Sequence, residues 1–548
     1  MSRSARPSVV GTQPEAARRR VLVLDGGVGW GALATVRSLG AAGYRAYLGF
    51  PAGLAPRNAV SRYCAGSVSY PDPAFEPSDF QEWLLSTASD FGAVLPVKEP
   101  TLLATAAIKD RLTEGGTLVP IADLPTLRTA TRKPEMLALA TRAGLRLPRT
   151  EVVTELPAAA AVSRDFGLPF IMKTSSELDL APAERHFLVR DPDSPAARER
   201  FDRLARAGPV LLQEYVEGIG VGIALIYSDD SAVTAVAGHR RVFEQFRDGG
   251  PSIVARTEIH PDALDQSRRL LDALHWKGIA MVEFRLRPDG RAVFMEVNPR
   301  VWGTMPLAIA SGVDFPRLLL ETFRRPPPAA PQGPTRRRNY LSLEALATAL
   351  SSPREKRPAL SAFAVALARS AVGLSVKELQ GYDLRPQVVE AAHRLRSLGS
   401  RRRPARLGDV VVGPALDPRA LARLAVRTTI DLREPEEVAR GPPLPDGSVT
   451  RLSFPIPDDT GLPPDRFVAL TDLMTSAAEQ GSLYVHCRQG KGRAPMAAMG
   501  LLVRRGLTAE AAFTAVYAAR PAAYLNGLQR VAVYRLARSL RNGAFPRG

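Results

Sequence analysis

Short apolar runs, closed by glycine or an acid and separated by stretches of helical period, open this chain. VLVLDGG, beginning at Val21, reads as a buried strand ending in a glycine-rich turn (Gly26, Gly27, Gly29, Gly31), with a helix through Leu39. RAYLGF is a second strand. AVLPV (Ala93–Val97) is a later one, followed by Glu99 and a helix over Thr101–Ile108. Alternation of strand and helix predicts a parallel sheet with helices on both faces. The pattern then changes. Thr131–Leu145 has helical period and stops near Gly144. LPFIMKTSSE (Leu168–Glu177) reads as a strand, and VLLQEYVEGIGVGIAL (Val210–Leu225) as strand, bend and strand. AGHRRVFEQF, a loop at Gly249-Gly250 and a helix over Asp262–Leu274 lead to MVEFR, a tight turn at Pro288-Asp289-Gly290, and AVFMEVNPRVWG.

Pro326–Arg338 has linker composition. Leu341–Leu398 holds helical patches split by Pro353 and Pro358, and Ser400–Pro404 (SRRRP) reads as a second, solvated joint. Beyond it GDVVVGP and RTTIDLR are buried strands, and Ser482–Gly506 is strand, loop and helix.

With 548 residues, 45% hydrophobic and 23% charged, the chain is ordinary globular material for three or four domains. Its net charge is +18, yet only eight of the 73 Lys plus Arg are lysine, so the excess reflects an arginine-rich composition. Aromatics make up 6% and the basic runs fall in apparent linkers, which argues against a nucleic-acid partner. Two cysteines, Cys64 and Cys487, suggest a reducing compartment. No signal-peptide pattern and no 18-residue apolar run is present, so the expectation is a cytoplasmic protein with no membrane partner. Residues 1–20 are expected to be disordered.

Two acids stand in apolar strand contexts, Glu283 and Glu296. Carboxylates on adjacent strands repel unless a cation lies between them. Asn298, two residues beyond Glu296, shares its face and adds a neutral oxygen. Arg300 follows with a cation suited to phosphate. Hard oxygen ligands, few in number, suit Mg²⁺ holding nucleotide phosphates. The bland alternative pairs the acids with Arg285 or Arg300. Lys173 follows four apolar residues in a chain that avoids lysine, which also points to phosphate oxygens.

MVEFR…FMEVNPRVWG resembles the metal-binding end of ATP-grasp enzymes, especially the branch like carbamoyl-phosphate synthase, and the likeness runs from about Val21 to Arg325. The resemblance implies a Rossmann-like pre-ATP-grasp domain at 21–130 and an ATP-grasp α+β domain at 131–325, with ATP and Mg²⁺ (or Mn²⁺) bound. It makes Lys133 and Lys173 nucleotide-side lysines. It sets Gln213 and the backbone around Glu214 and Val216 against the adenine edge. It gives Arg240 or Arg241, beside His239, to the transferring phosphoryl group. Departures from the family pattern are Arg132 before Lys133, Thr174 after Lys173, Gly220 where an acid often holds ribose, and Ala255-Arg256-Thr257 after the glycine loop. The glycine turn near residue 26 is a weak dinucleotide match, because no acid closes the RAYLGF strand.

In the last strand–loop–helix, Cys487 and Arg493 are separated by five residues, with Gly490 and Gly492 between and His486 adjacent. Backbone N–H groups of such a loop and the following helix N-terminus cradle an anion. The same field favours a thiolate nucleophile. An arginine adds planar, bidentate recognition. The loop resembles that of cysteine-dependent tyrosine and dual-specificity phosphatases. By that likeness, 405–548 is a separate α/β phosphatase-like domain and 326–404 a linker and helical segment. FPIPDDTGLPP makes Asp458 the proton donor, with Asp459 as fallback, and Gln529 a water-positioning group. Relatives have Ser or Thr where this chain has Ala494.

The expected function is bifunctional. One half is a Mg-ATP-dependent ligase joining a small-molecule carboxylate to an amine or thiol through an acyl phosphate. The other half hydrolyses a phosphorylated protein or small molecule through a phosphocysteine. Alternatives are a small-molecule kinase opposed by its phosphatase, or one half serving as a non-catalytic sensor.

Overall fold

The structure, a computed structural model, describes residues 15–25, 29–157, 161, 165–174, 186–246, 249–326, 328–351, 357–377, 379, 383–401, 403–439, 449–458 and 460–545. Two compact units divide the chain, one ending at Gln387 and the other beginning in earnest at Val388. Among the described residues no helix is long and apolar enough to cross a membrane.

The first unit opens with strands β1 (Arg20–Leu24), β2 (Arg45–Pro51), β3 (Cys64–Tyr70) and β4 (Ala93–Pro96), paired in parallel in the order β3-β2-β1-β4. Val21 to Leu24 are wholly buried, which explains a continuous rather than alternating apolar run. Helix α1 (Trp30–Ala41) covers the sheet through Ala32, Val36 and Leu39. Gly26 and Gly27 of the predicted turn, and residues 1–14 of the predicted tail, lie outside the described residues.

Asp25, immediately after β1, is fully buried. Burial raises its carboxyl pKa to about 7, against the opposing pull of Lys98 and a hydrogen bond from Asn58. A folded pKa above the unfolded one means that the unfolded chain ionises first as pH rises. Stability is therefore lost between about pH 4 and pH 7, by up to about 4 kcal/mol, and stays lost above it. Asp25→Asn should raise stability more at pH 8 than at pH 5 in chemical denaturation. An equal change at both pH values would show that Asp25 is not held neutral by the fold.

Helix α2 (Lys133–Arg142) leads to an antiparallel sheet of β5 (Thr150–Val153), β6 (Phe170–Thr174), β7 (His186–Val189) and β8 (Val210–Glu214), in the order β5-β8-β6-β7. The largest sheet follows, from β9 (Ile219–Tyr227), β10 (Val233–Phe246), β11 (Gly249–Thr257), β12 (Gly278–Leu286) and β13 (Ala292–Asn298). It also takes β14 (Asn339–Leu341) and β15 (Leu374–Val376), for seven strands in the order β13-β12-β9-β10-β11-β14-β15. Those last two strands correct the reading of 326–404 as linker and helices. The segment before them is not free either: Gln332 exchanges backbone hydrogen bonds of 2.9 Å with Thr234 and Val236. Its proline-rich composition masked a chain laid along β10.

The second unit holds β16 (Ala405–Leu407), β17 (Val410–Pro414), β18 (Thr428–Asp431), β19 (Thr450–Ser453) and β20 (Leu483–Cys487), ordered β16-β17-β20-β18-β19. All pairs are parallel except β16 with β17. Around it lie helices α3 (Pro435–Ala439), α4 (Arg493–Arg504) and α5 (Gly527–Arg541). β20 is central and wholly buried, so its C-terminal end opens where ligands of a parallel sheet collect.

Candidate active sites

In the first unit, β12 and β13 pair with Glu283 opposite Glu296 and Met281 opposite Asn298. Directly opposed residues of an antiparallel ladder share a face, so both acids and the amide converge. Asn298 Nδ2 is 3.5 Å from Glu283 Oε1 and 3.4 Å from Glu296 Oε1. The cation against Glu283 is Arg241, at 2.5 Å, rather than Arg285 or Arg300. Arg241 also donates to Glu244 at 3.3 Å and to the Gly250 carbonyl at 3.0 Å. Burial disfavours its charge, but Glu283, Glu244 and Glu296 together raise its pKa above the ordinary value. Arg285 is occupied by Glu244, with two contacts of 2.9 Å.

Two glycines of β9 make room for this arrangement. A Cβ on Gly220 would lie 2.4 Å from Arg241 Cδ, and one on Gly222 would lie 2.3 Å from His239 Cε1. Gly220 is thus filled by Arg241, which explains why no acid stands there. His239 is buried, and burial, then the Arg241 charge, lower its pKa to about 3, so it is neutral. Arg240 points elsewhere, to Glu258 at 3.4 Å. Arg300 donates to the Val301 carbonyl at 3.1 Å and lines a different cavity, with Pro299 and Ile279.

A single cleft brings Lys133, Lys173, Gln213 and Glu296 together, walled by Met136, Leu211, Phe294 and Val297. Lys133 opens α2, Lys173 lies on β6 and Gln213 on β8. Gln213 Nε2 donates to Thr150 Oγ1 at 2.8 Å. The Glu214 N–H donates to the Arg149 carbonyl at 2.8 Å, and its carboxylate is held by Arg287 at 2.8 Å. Val216 is buried just beyond the strand end.

As a metal site the donor set is two carboxylates and one amide. Turning the Asn298 amide by half a rotation would present Oδ1 in place of Nδ2. Among the described residues no group of three or more His, Cys, Asp or Glu is arranged to hold a metal. A cation between Glu283 and Glu296 would therefore complete its shell from phosphate oxygens and water, as Mg²⁺ commonly does. The residues fit that ion.

In the second unit, Cys487 ends β20, and the loop after it turns through Gly490, whose φ of +65° favours glycine. A Cβ there would also strike the Gly413 backbone at 2.3 Å. The Gly490 N–H points at Cys487 Sγ, 3.2 Å away. Arg493 opens α4 and is almost wholly buried. Glu437, on α3, grips it bidentately at 2.6 and 2.9 Å, and the Ile456 carbonyl accepts at 3.0 Å. Burial opposes the Arg493 charge, yet the Glu437 hydrogen bonds and the nearby Asp458 and Cys487 raise its pKa. Hydrogen bonding from Arg493 in turn holds Glu437 below the usual carboxylate range.

Asp458 Oδ1 is 3.2 Å from Arg493 Nε, with its side chain 58% exposed at the mouth. That Nε–H is not aimed at the oxygen, so the contact is an ion pair by distance only. Asp459 lies outside the described residues. Gln529 is buried against the loop: a Cβ on Gly492 would lie 2.7 Å from its Oε1. His486, buried behind the loop, has its pKa lowered to about 4 by desolvation, despite Asp431. Ala494 is fully buried in the first turn of α4.

Two family models match the chain. Residues 206–345 match ATP-grasp in the biosynthetic pathway with Ter operon. Residues 414–544 match the Swiss Army Knife protein, DSP-PTPase phosphatase domain. Similar solved structures include an L-amino acid ligase from Bacillus licheniformis: 15% identity, TM-score 0.45, covering 58% of this chain and 78% of that one. Another is a biotin carboxylase from Campylobacter jejuni as its β,γ-ATP complex, at 13% identity and TM-score 0.46, covering 57% and 72%. A third is N5-carboxyaminoimidazole synthetase from Staphylococcus aureus with ADP, at 13% identity and TM-score 0.44, covering 57% and 79%. No curated protein matches the chain in sequence.

Proposed function

We propose that this chain, which joins an ATP-grasp domain to a dual-specificity-type phosphatase domain, is a bifunctional enzyme: a carboxylate–amine (or thiol) ligase and a phosphomonoesterase. The observation that carries the ligase reading is the opposed Glu283–Glu296 pair at the edge of a cleft that also holds Lys133 and Lys173. Glu283, Glu296 and Asn298 would hold Mg²⁺, which supplies charge neutralisation for the triphosphate. Lys133 and Lys173 bind phosphate oxygens, and the apolar wall receives the base. Arg241, fixed by Glu283 and Glu244, faces the phosphoryl group as it moves to a substrate carboxylate. An amine or thiol then displaces phosphate from the acyl phosphate, forming the new bond. Neutral His239 adds no competing charge. Of the three arginines expected there, Arg240, Arg241 and Arg300, the contacts of Arg241 with Glu283 and Glu244 favour it for the phosphoryl role.

In the phosphatase half, Cys487 sulfur attacks phosphorus as the ester P–O bond breaks. Asp458 protonates the leaving oxygen, and Arg493 with the loop N–H groups holds the equatorial oxygens. Water next attacks phosphorus, the S–P bond breaks, and Asp458 takes the water proton. Ala494 offers no hydroxyl to the departing sulfur. Ala494→Ser should raise steady-state turnover several-fold and lower the phosphoenzyme trapped by acid quench. An unchanged or lower rate would count against that role for the position.

The test of both halves is one incubation with ATP, Mg²⁺ and a metabolite extract, comparing wild type, Glu296→Gln and Cys487→Ser by mass spectrometry. A new amide or thioester formed with ADP release by wild type and Cys487→Ser, and missing from Glu296→Gln, is the expected pattern. ADP formed stoichiometrically with a phosphorylated metabolite, and no new amide or thioester, would replace the ligase reading with a kinase.

A further inference from the structure

Helix α1 turns two faces to different surroundings. Ala32, Val36 and Leu39 pack on the sheet. Trp30, Ala34, Arg37 and Ser38, which the 3.6-residue period puts on the opposite side, line a cavity of about 160 Å³. A single water needs about 10–15 Å³. Ile309 on the helix Met305–Ala310, Asp314, and Lys377 just after β15 also line it. None of these residues borders the cleft of Lys133, Lys173 and Glu296. Lys377 lies beyond residue 345, where the ATP-grasp match ends, and before the phosphatase match begins, so neither domain accounts for this part of the wall.

The charged groups of the cavity have hydrogen-bonding capacity to spare. Arg37 is 8% exposed. Its Nε donates to Asp383 Oδ2 at 3.2 Å and its Nη2 to the Asp383 carbonyl, while Nη1 makes no hydrogen bond among the described residues. Lys377, equally buried, reaches Glu344 Oε2 at 3.2 Å and sits 5.0 Å from the centre of the Trp30 ring. An ammonium has three donors, so two remain. Asp314 Oδ1 accepts from Ser38 Oγ and, at 3.4 Å, from the Arg317 N–H. Its Oδ2 has only Arg317 Nε, 4.0 Å away and beyond hydrogen-bond reach. Spare cationic donors and a spare carboxylate oxygen thus share one cavity with the apolar surfaces of Trp30, Ala34 and Ile309. Such groups are costly until a partner fills them.

We propose that this cavity binds a free amino acid with an apolar or aromatic side chain. Arg37 Nη1 and Lys377 meet its carboxylate, Asp314 Oδ2 meets its ammonium, and its side chain lies against Trp30, Ala34 and Ile309. A simple anion would be repelled by Asp314, and a simple cation by Arg37 and Lys377; a zwitterion answers both signs. The site is independent of both catalytic readings. Bound there, the amino acid ties α1 to the helix Met305–Ala310 and to Lys377, and takes no part in the chemistry of the cleft.

The test is calorimetric titration of the full-length chain with phenylalanine, phenylacetate and phenethylamine. Phenylalanine is expected to bind at least about tenfold tighter than either analogue, the scale of one charge-assisted hydrogen bond. Asp314→Asn keeps an N-cap on the helix Phe315–Thr322 and removes the charge, so the affinity for phenylalanine should fall towards that for phenylacetate. Lys377→Met should weaken phenylalanine and phenylacetate and spare phenethylamine. Ala34→Leu, which fills the cavity, should abolish binding of all three. Thermal unfolding checks that each variant folds; if Ala34→Leu does not, Asp314→Asn and Lys377→Met still decide. Saturating Mg-ATP, and Glu296→Gln, should leave the phenylalanine affinity unchanged. No binding of phenylalanine at millimolar concentration, equal affinities for the three probes, or affinities insensitive to Asp314→Asn and Lys377→Met would overturn the inference. Binding abolished by Mg-ATP or by Glu296→Gln would overturn it too, because the amino acid would then occupy the ligase cleft.

Discussion

Glu296→Gln is expected to lower Mg-ATP turnover by about 10³-fold or more, a loss of several kcal/mol of charge stabilisation. The same change should leave the fold as stable as before or more so. Glu283 and Glu296 face each other across the β12–β13 ladder, and like charges directly opposite are destabilising by roughly 0.2–1 kcal/mol. Glutamine keeps the shape, removes the repulsion, leaves Glu283 on Arg241, and gives up only the attraction of Glu296 for Arg241, the smallest of the three carboxylate contributions there. Loss of turnover with unchanged or higher melting temperature separates a metal-holding role from a structural one. If instead Glu296→Gln retained turnover and lost stability, the pair would be an ordinary charge network. Rates of ADP release alongside thermal unfolding make the comparison.

Cys487→Ser is expected to abolish phosphomonoester hydrolysis, by about 10⁴-fold or more, as removing a nucleophile that works as part of a unit commonly does. A serine hydroxyl at this position has no general base: His486 lies behind the loop, and Asp458 is at the mouth beside Arg493. The substituted loop should still bind phosphate, because Arg493 and the backbone N–H groups are untouched. Measured hydrolysis of p-nitrophenyl phosphate and phosphate binding by the same variant give the two readouts. Residual hydrolysis within tenfold of wild type would mean that Cys487 is not the attacking group.

Much of this was legible in the residues because the chemistry sits on strands with strong local signals. Acids inside apolar runs marked Glu283 and Glu296, but the register set by the turn would put Glu283 opposite Met295, and a bulge between Phe284 and Glu283, which the sequence does not announce, brings it opposite Glu296. Lys173 stood out in a chain with eight lysines. A strand, a cysteine, two glycines and an arginine announced the anion loop. Where three-dimensional crossing decides the outcome, local pattern failed. Arg240 and Arg241 are equivalent in sequence, but neighbours on a strand point to opposite faces, and only Arg241 meets Glu283. The glycines at 220 and 222 were the clue, since their spacing leaves room for exactly that face of β10. Glu437 could not be found from spacing, because its partner Arg493 is 56 residues away on another element. The strands β14 and β15 are three residues each, too short for period to show, and their proline-rich approach looked like a linker.

The most direct measurement is ATP binding to the Cys487→Ser chain by calorimetry, with and without Mg²⁺, before and after Glu296→Gln. Affinity that rises with Mg²⁺ in the parent and loses that rise in Glu296→Gln is the expected result. Binding indifferent to Mg²⁺, or a Mg²⁺ effect that survives the substitution, would contradict a cation held between the two carboxylates.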